Sequence, residues 1–208
     1  MFLWYRFWAL VFRLFYRWYF WGKVYNVERI PKKGGVLLCM NHQSYIDPPL
    51  AGAVCEPRRV IWYLARKTLW NNKVMGKLLD WVNAFPVDQD RPDMASLKKV
   101  IRLLNEEKGV LIFPEGSRTA DGNLQPGAPG AGLVVAKTGK PVVPARIFGA
   151  YEAYPLGGKM RRHPVIIKFG HPIDFSDMIR EGGKDKELYK KIADRIMEEI
   201  SKLEPRPD

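Results

Sequence analysis

The feature that most constrains this fold is a series of short apolar runs, each broken off by a polar loop. Gly35-Val36-Leu37-Leu38-Cys39-Met40, Val110-Leu111-Ile112-Phe113 and Val142-Val143-Pro144-Ala145-Arg146-Ile147 all have this form. Short apolar runs bounded by turn residues read as strands buried in a sheet. Between them lie segments of helical character, such as 93–106 with Leu97, Ile101 and Leu104 on one face. The pattern predicts strands at 36–40, 84–87, 109–113, 141–148 and 164–169, with helices at 48–55, 93–106 and 131–138. Residues 56 to about 81 form a polar and aromatic region with no assigned element. Lys184 to Leu203 carries Leu188, Ile192, Ile196 and Ile200 at spacing four, an amphipathic helix that packs on the sheet. Alternating strands and helices specify an α/β domain with a largely parallel, mixed sheet flanked by helices. The 208 residues suit one such domain plus an amino-terminal helix. The Gly/Pro-rich stretch 120–130 reads as a mobile loop within that domain.

Two of the loops that follow strands carry chemistry. The first is Asn41-His42-Gln43-Ser44-Tyr45-Ile46-Asp47-Pro48. A histidine at a strand end, with a carboxylate just inside the next helix, can form a hydrogen-bonded pair. The carboxylate then fixes the imidazole tautomer and stabilises the imidazolium, which makes a general base. The second is Pro114-Glu115-Gly116-Ser117-Arg118-Thr119. Arg118 offers a planar fork of donors that suits a phosphate, and Gly116 lets backbone approach a ligand closely. In open α/β sheets, ligands bind beyond the carboxyl ends of the strands. Each loop alone is compatible with ordinary capping and surface pairing; the two together point to a site.

The ordered set of motifs resembles the glycerophospholipid acyltransferase family. Asn41-His42-Gln43-Ser44-Tyr45-Ile46-Asp47 is similar to its first motif, His-x4-Asp. Phe113-Pro114-Glu115-Gly116-Ser117-Arg118 is similar to its third, and Val142-Val143-Pro144-Ala145-Arg146-Ile147 to its fourth. The likeness runs from about Val24 to Phe175. Phe85-Pro86-Val87-Asp88 fits the second motif, but many members continue with arginine where this chain has Gln89. Arg91, two residues on, is the candidate replacement, and Asn83 stands where glycine is common. Ala65-Arg66 resembles an Ala-Lys step near the substrate phosphate, so Arg66 is a second candidate anion ligand. Gln125-Pro126-Gly127-Ala128-Pro129-Gly130 lacks the aromatic and basic residues that members often place before this Pro-Gly.

The resemblance implies a reaction and its residues. His42, paired with Asp47, takes the proton from the free glycerol hydroxyl of a lysophospholipid. That oxygen attacks an acyl thioester directly, without a protein nucleophile, and no Gly-x-Ser-x-Gly elbow is present. Glu115, Gly116, Ser117, Arg118, Arg66 and Arg91 are the implied substrate-binding residues. Lysophosphatidic acid is the expected acceptor, with other lysophospholipids or lyso-aminolipids as alternatives. Acyl-CoA or acyl carrier protein is the expected donor. No metal or bound cofactor is expected. A non-catalytic membrane-binding scaffold of the same fold is a further alternative, against which the intact His42, Asp47, Glu115 and Arg118 argue.

The amino terminus places this chemistry at a membrane. Residues 1–24 hold Trp4, Trp8, Trp18 and Trp21, with Arg6, Arg13 and Arg17 and no acidic residue. On a helix the arginines fall in one stripe, and the remaining circumference is aromatic or aliphatic. Arginines cost about 2.5–3.5 kcal/mol each at the bilayer centre, so residues 1–23 read as an interfacial helix rather than a span. The segment lacks the clean apolar core and small-residue cleavage site of a secretory leader. The net charge of +12 is concentrated here: Arg6, Arg13, Arg17, Lys23, Arg29, Lys32 and Lys33 stand against Glu28 alone in residues 1–33. Such charge attracts anionic lipid, which implies peripheral attachment at the cytoplasmic face of the cell membrane. A second basic cluster, Arg58, Arg59, Arg66 and Lys67, flanks Val60-Ile61-Trp62-Tyr63-Leu64. It suits either the acceptor phosphate or the bilayer. Nucleic-acid binding is disfavoured, because the basic and aromatic residues share one apolar helix instead of lining a polar groove. Cys39 and Cys55 form no metal or redox spacing, which fits a reducing compartment. His163 and His171 read as turn residues.

Overall fold

The structure is a computed structural model that describes residues 2–87, 94–183 and 185–208. Candidate residues Gln89 and Arg91 lie outside the described residues, as does Asp88. Among the described residues seven strands form one sheet: β1 (Lys23–Tyr25), β2 (Val36–Met40), β3 (Ile61–Arg66), β4 (Ala84–Val87), β5 (Gly109–Ile112), β6 (Val142–Phe148) and β7 (Ile166–Phe169). Their spatial order is β1-β7-β6-β2-β5-β3-β4. The β6–β7 pair is antiparallel and every other pair is parallel. The expected largely parallel, mixed sheet is therefore present. After β2 the chain moves outward to β3 and β4. It returns to β5 and crosses to β6, on the other side of β2. β2 is thus the strand about which the order reverses, and its carboxyl end is where a ligand crevice forms in such sheets.

Helices cover both faces. One face carries α1 (Phe2–Tyr19), α2 (Asp47–Cys55) and α3 (Lys73–Trp81). The other carries α4 (Met94–Asn105), α5 (Pro129–Thr138) and α8 (Lys186–Ser201). Short helices α6 (Ala150–Ala153) and α7 (Ser176–Glu181) complete the chain. Side chains alternate across the sheet, and β2 shows the result. Val36, Leu38 and Met40 join the core that holds Leu50 and Val54 of α2. Leu37 and Cys39 join the opposite core with Val134 of α5 and Ile192 of α8. All five β2 residues are buried, which is why the run is apolar on both faces.

Two strands escape sequence reading. β3 lies within the region left unassigned, because Trp62, Tyr63 and Arg66 blur its apolar signal. β1 has only three residues and exists because β7 offers it an edge. The predicted helix 1–23 is shorter in fact, ending at Tyr19. Nor is it set apart from the domain: Tyr5, Ala9 and Tyr16, with Phe20 just beyond, are buried. Tyr16 donates its hydroxyl hydrogen within reach of the carbonyls of Lys23 (2.6 Å) and Val165 (2.9 Å). Arg6 and Arg13 both reach Glu56 at the end of α2, at 3.0 and 3.4 Å.

Asn83, the residue at a position where glycine is common, has φ 60. That left-handed conformation is the one that suits glycine and is tolerated by asparagine. α5 and α8 cross so closely that a Cβ on Gly132 would lie 1.9 Å from the carbonyl oxygen of Tyr189. Gly132→Ala is therefore expected to force the helices apart and to cost about 1–3 kcal/mol. A lower urea midpoint than wild type checks this.

Candidate active site

The site forms where the loops after β2 and β5, neighbouring strands, meet at the carboxyl rim. β2 ends at Met40, and Asn41 prolongs its pairing with side-chain hydrogen bonds. Its amide donates to the carbonyl of Ile147 (3.0 Å) and accepts from the Ile147 N–H (2.8 Å). This clamp to β6 fixes where the next residue, His42, leaves the sheet.

His42 Nδ1 lies 2.8 Å from Oδ2 of Asp47. Asp47, the first residue of α2, is fully buried. The same oxygen accepts the backbone N–H groups of Gln43 (2.6 Å) and Ser44 (2.7 Å). An oxygen already accepting two N–H groups requires Nδ1 to be the donor. The neutral imidazole therefore presents its lone pair at Nε2. The helix amino terminus adds positive potential at the carboxylate. The ring of Phe113 lies against the imidazole, 3.9 Å between centroids and 15° from parallel. Its plane is thus set by a hydrogen bond at one edge and an aromatic face along one side.

The second loop is tied to the first through its backbone. Thr119 donates its N–H to the carbonyl of His42 (2.9 Å). Glu115 accepts the N–H of His42 at Oε2 (3.2 Å) and of Gln125 at Oε1 (3.4 Å). Glu115, an expected substrate-binding residue, thus meets the protein's own backbone at both oxygens and braces the two loops. Burial pushes its pKa up to about 7, against the opposing pull of the two N–H donors. Gly116 has φ 76 and lets the chain turn at the exposed tip it shares with Ser117. Arg118 lies with its guanidinium carbon 3.5 Å from the centre of the Tyr45 ring. Its Nη1 is buried and has no hydrogen-bond partner among the described residues. Arg66, the last residue of β3, stands on the same rim beyond β5.

The loops thus bring together His42, Asp47, Glu115 and Arg118. Sequence reading overlooked Asn41 as a clamp, Phe113 as a ring support and Tyr45 as the partner of Arg118. An aromatic directly after an apolar strand was the available signal for Phe113. No local signal pairs Tyr45 with Arg118, 73 residues away.

Residues 22–148 match the model of the acyltransferase family. A Bacillus subtilis protein named 1-acyl-sn-glycerol-3-phosphate acyltransferase is 34% identical over 188 residues, covering 89% of each chain. This chain belongs to the acyltransferase family. A protein of the same name from Streptococcus pneumoniae is 27% identical over 183 residues, which make up 86% of this acyltransferase and 65% of that protein. In fold, the acyltransferase is similar to the crystal structure of the lysophosphatidic acid acyltransferase of Thermotoga maritima. The TM-score is 0.70 at 23% identity, covering 95% of this chain and 81% of that one.

Glu115 gives the acyltransferase a defined pH signature. Its folded pKa lies above the value of about 4.5 that it has when exposed. Its contribution to stability is then fully present below about pH 4.5 and is lost as the pH rises through about 7. Glu115→Gln does not titrate. Relative to that variant, the wild type is expected to lose stability between pH 5 and 7.5. Urea midpoints of both proteins at the two pH values check the sign.

Proposed function

We propose that this acyltransferase esterifies the free glycerol hydroxyl of lysophosphatidic acid with a fatty acyl group from a thioester, giving phosphatidic acid. The observation that carries the reading is the His42–Asp47 pair, in which Nδ1 is held as donor and Nε2 is left as a base. The names of the relatives supply the acceptor and the reaction class.

The hydroxyl hydrogen passes to Nε2 as the oxygen attacks the thioester carbonyl, and the imidazolium is stabilised by Asp47. The tetrahedral intermediate collapses with loss of the thiolate, which recovers the proton from His42. The donor is acyl-CoA or acyl carrier protein. Arg118 holds the acceptor phosphate through its guanidinium, whose Nη1 has no hydrogen-bond partner among the described residues, and Arg66 adds positive charge on the same rim. Glu115 keeps His42 at a fixed distance from Arg118. A positioned base contributes about 10²–10⁴ in rate. His42→Ala is therefore expected to lower kcat by that factor, and Arg118→Ala to raise the acceptor KM with a smaller change in kcat. Steady-state transfer to lysophosphatidic acid from both donors tests this. His42→Ala turnover near the wild-type rate would sink the mechanism.

The enzyme meets its substrate at a bilayer surface, by this reading. Among the described residues no helix is long and apolar enough to cross a membrane, and α1, at 18 residues, spans about 27 Å. While one side of α1 is buried, Leu3, Phe7, Leu10, Leu14 and Trp18 are exposed on the other. A large exposed apolar stripe on a basic, acid-free segment fits peripheral insertion into one anionic leaflet at the cytoplasmic face. Arg162 steadies its end, lying over the rings of Trp18 (5.4 Å) and Trp21 (5.0 Å). Replacing Leu10, Leu14 and Trp18 together by serine is expected to weaken co-sedimentation with anionic vesicles several-fold. Unchanged circular dichroism would show that the fold persists.

A further inference from the structure

We propose that Tyr45 is the positioning residue that pre-sets Arg118 for the acceptor phosphate and fixes the distance from that phosphate to the base. The inference rests on the phosphate role of Arg118 proposed above and names what makes that role work. Tyr45 stands three residues after His42 and is half exposed. The guanidinium carbon of Arg118 lies 3.5 Å from its ring centre. The other side of the arrangement is firm. Tyr45 packs against Tyr154 with 5.6 Å between ring centroids, and the hydroxyl of neighbouring Ser44 donates to the carbonyl of Tyr154 (2.6 Å).

The choice of an aromatic here has a chemical reason. A carboxylate would also hold Arg118, but it would occupy the N–H edges and cancel the charge that a phosphate needs. A ring holds the flat face of the guanidinium and leaves the edges free. Consistent with this, Nη1 has no hydrogen-bond partner among the described residues. Arginine otherwise loses much rotamer freedom when a ligand fixes it, and stacking removes that loss before binding. Because Tyr45 shares a loop with His42, the stack also links the phosphate grip to the base in one rigid piece.

The test is transfer to lysophosphatidic acid in mixed micelles by Tyr45→Phe, Tyr45→Leu and Arg118→Ala, and by Tyr45→Leu combined with Arg118→Ala. Leucine keeps apolar packing against Tyr154 but has no π face. Tyr45→Leu should raise the acceptor KM about 3–10-fold with kcat within about twofold, while Tyr45→Phe stays near wild type. In the Arg118→Ala background, Tyr45→Leu should add little, since the group it positions is gone. The inhibition constant of inorganic phosphate should rise alongside KM. An unchanged KM in Tyr45→Leu overturns the inference, and so does an undiminished KM effect in the Arg118→Ala background. If Arg118→Ala itself leaves KM unchanged, the phosphate reading fails and the inference falls with it. A loss confined to kcat or to the thermal midpoint would mean that Tyr45 only supports the fold.

Discussion

The site depends on one buried carboxylate. Asp47 is wholly removed from water, and a charge so placed is costly unless donors meet it. Its Oδ1 has no hydrogen-bond partner among the described residues, and Oδ2 takes three donors, the N–H groups of Gln43 and Ser44 and Nδ1 of His42. To deliver them, the chain must leave β2 directly after Met40, coil through a tight loop and enter α2 with Asp47 as its first residue. Pro48 and Pro49 suit that first turn, where the missing N–H groups would have no helical partner. The imidazole is thus oriented by the same contacts that make the loop possible, and its tautomer follows from them.

Around that centre the fold works as a rigid frame. Asn41 extends the β2–β6 pairing past the last strand residue. Glu115 and Thr119 bind the second loop to the backbone of the first. Two packed helical layers hold the strands beneath, and the closeness of α5 to α8 at Gly132 shows how little slack they have. α1 serves two environments. Tyr5, Ala9 and Tyr16 belong to the core, whereas Leu3, Phe7, Leu14 and Trp18 face outward. The same helix that completes the domain is thereby the one proposed to rest in lipid.

Much of this is legible in the sequence because it is local or periodic. The five-residue step from His42 to Asp47 spans one loop, so linear spacing allows their pairing, and the structure shows it. Strands β2, β5 and β6 announce themselves because both faces of each are buried. β3 does not, since Trp62 and Leu64 only partly face its core and Arg66 is exposed. Asn83 departs from the motif in composition yet adopts a left-handed backbone of the kind that favours glycine, which φ alone reveals. Glu115 reads as a ligand in a motif; only the fold places His42 N–H and Gln125 N–H against its oxygens.

By itself the sequence determined the α/β layering, the pairing of His42 with Asp47, and the basic, aromatic character of the amino terminus. These rest on period, turn chemistry and short-range spacing, which a linear chain displays directly. Tertiary structure alone decided which side chains gather around that pair and the second loop. Phe113 against His42, Arg118 on Tyr45 and Glu115 beneath the loop backbone are meetings between segments about 70 residues apart. Such contacts depend on β5 lying beside β2 with a fixed register, and register is set by the packing of the whole sheet.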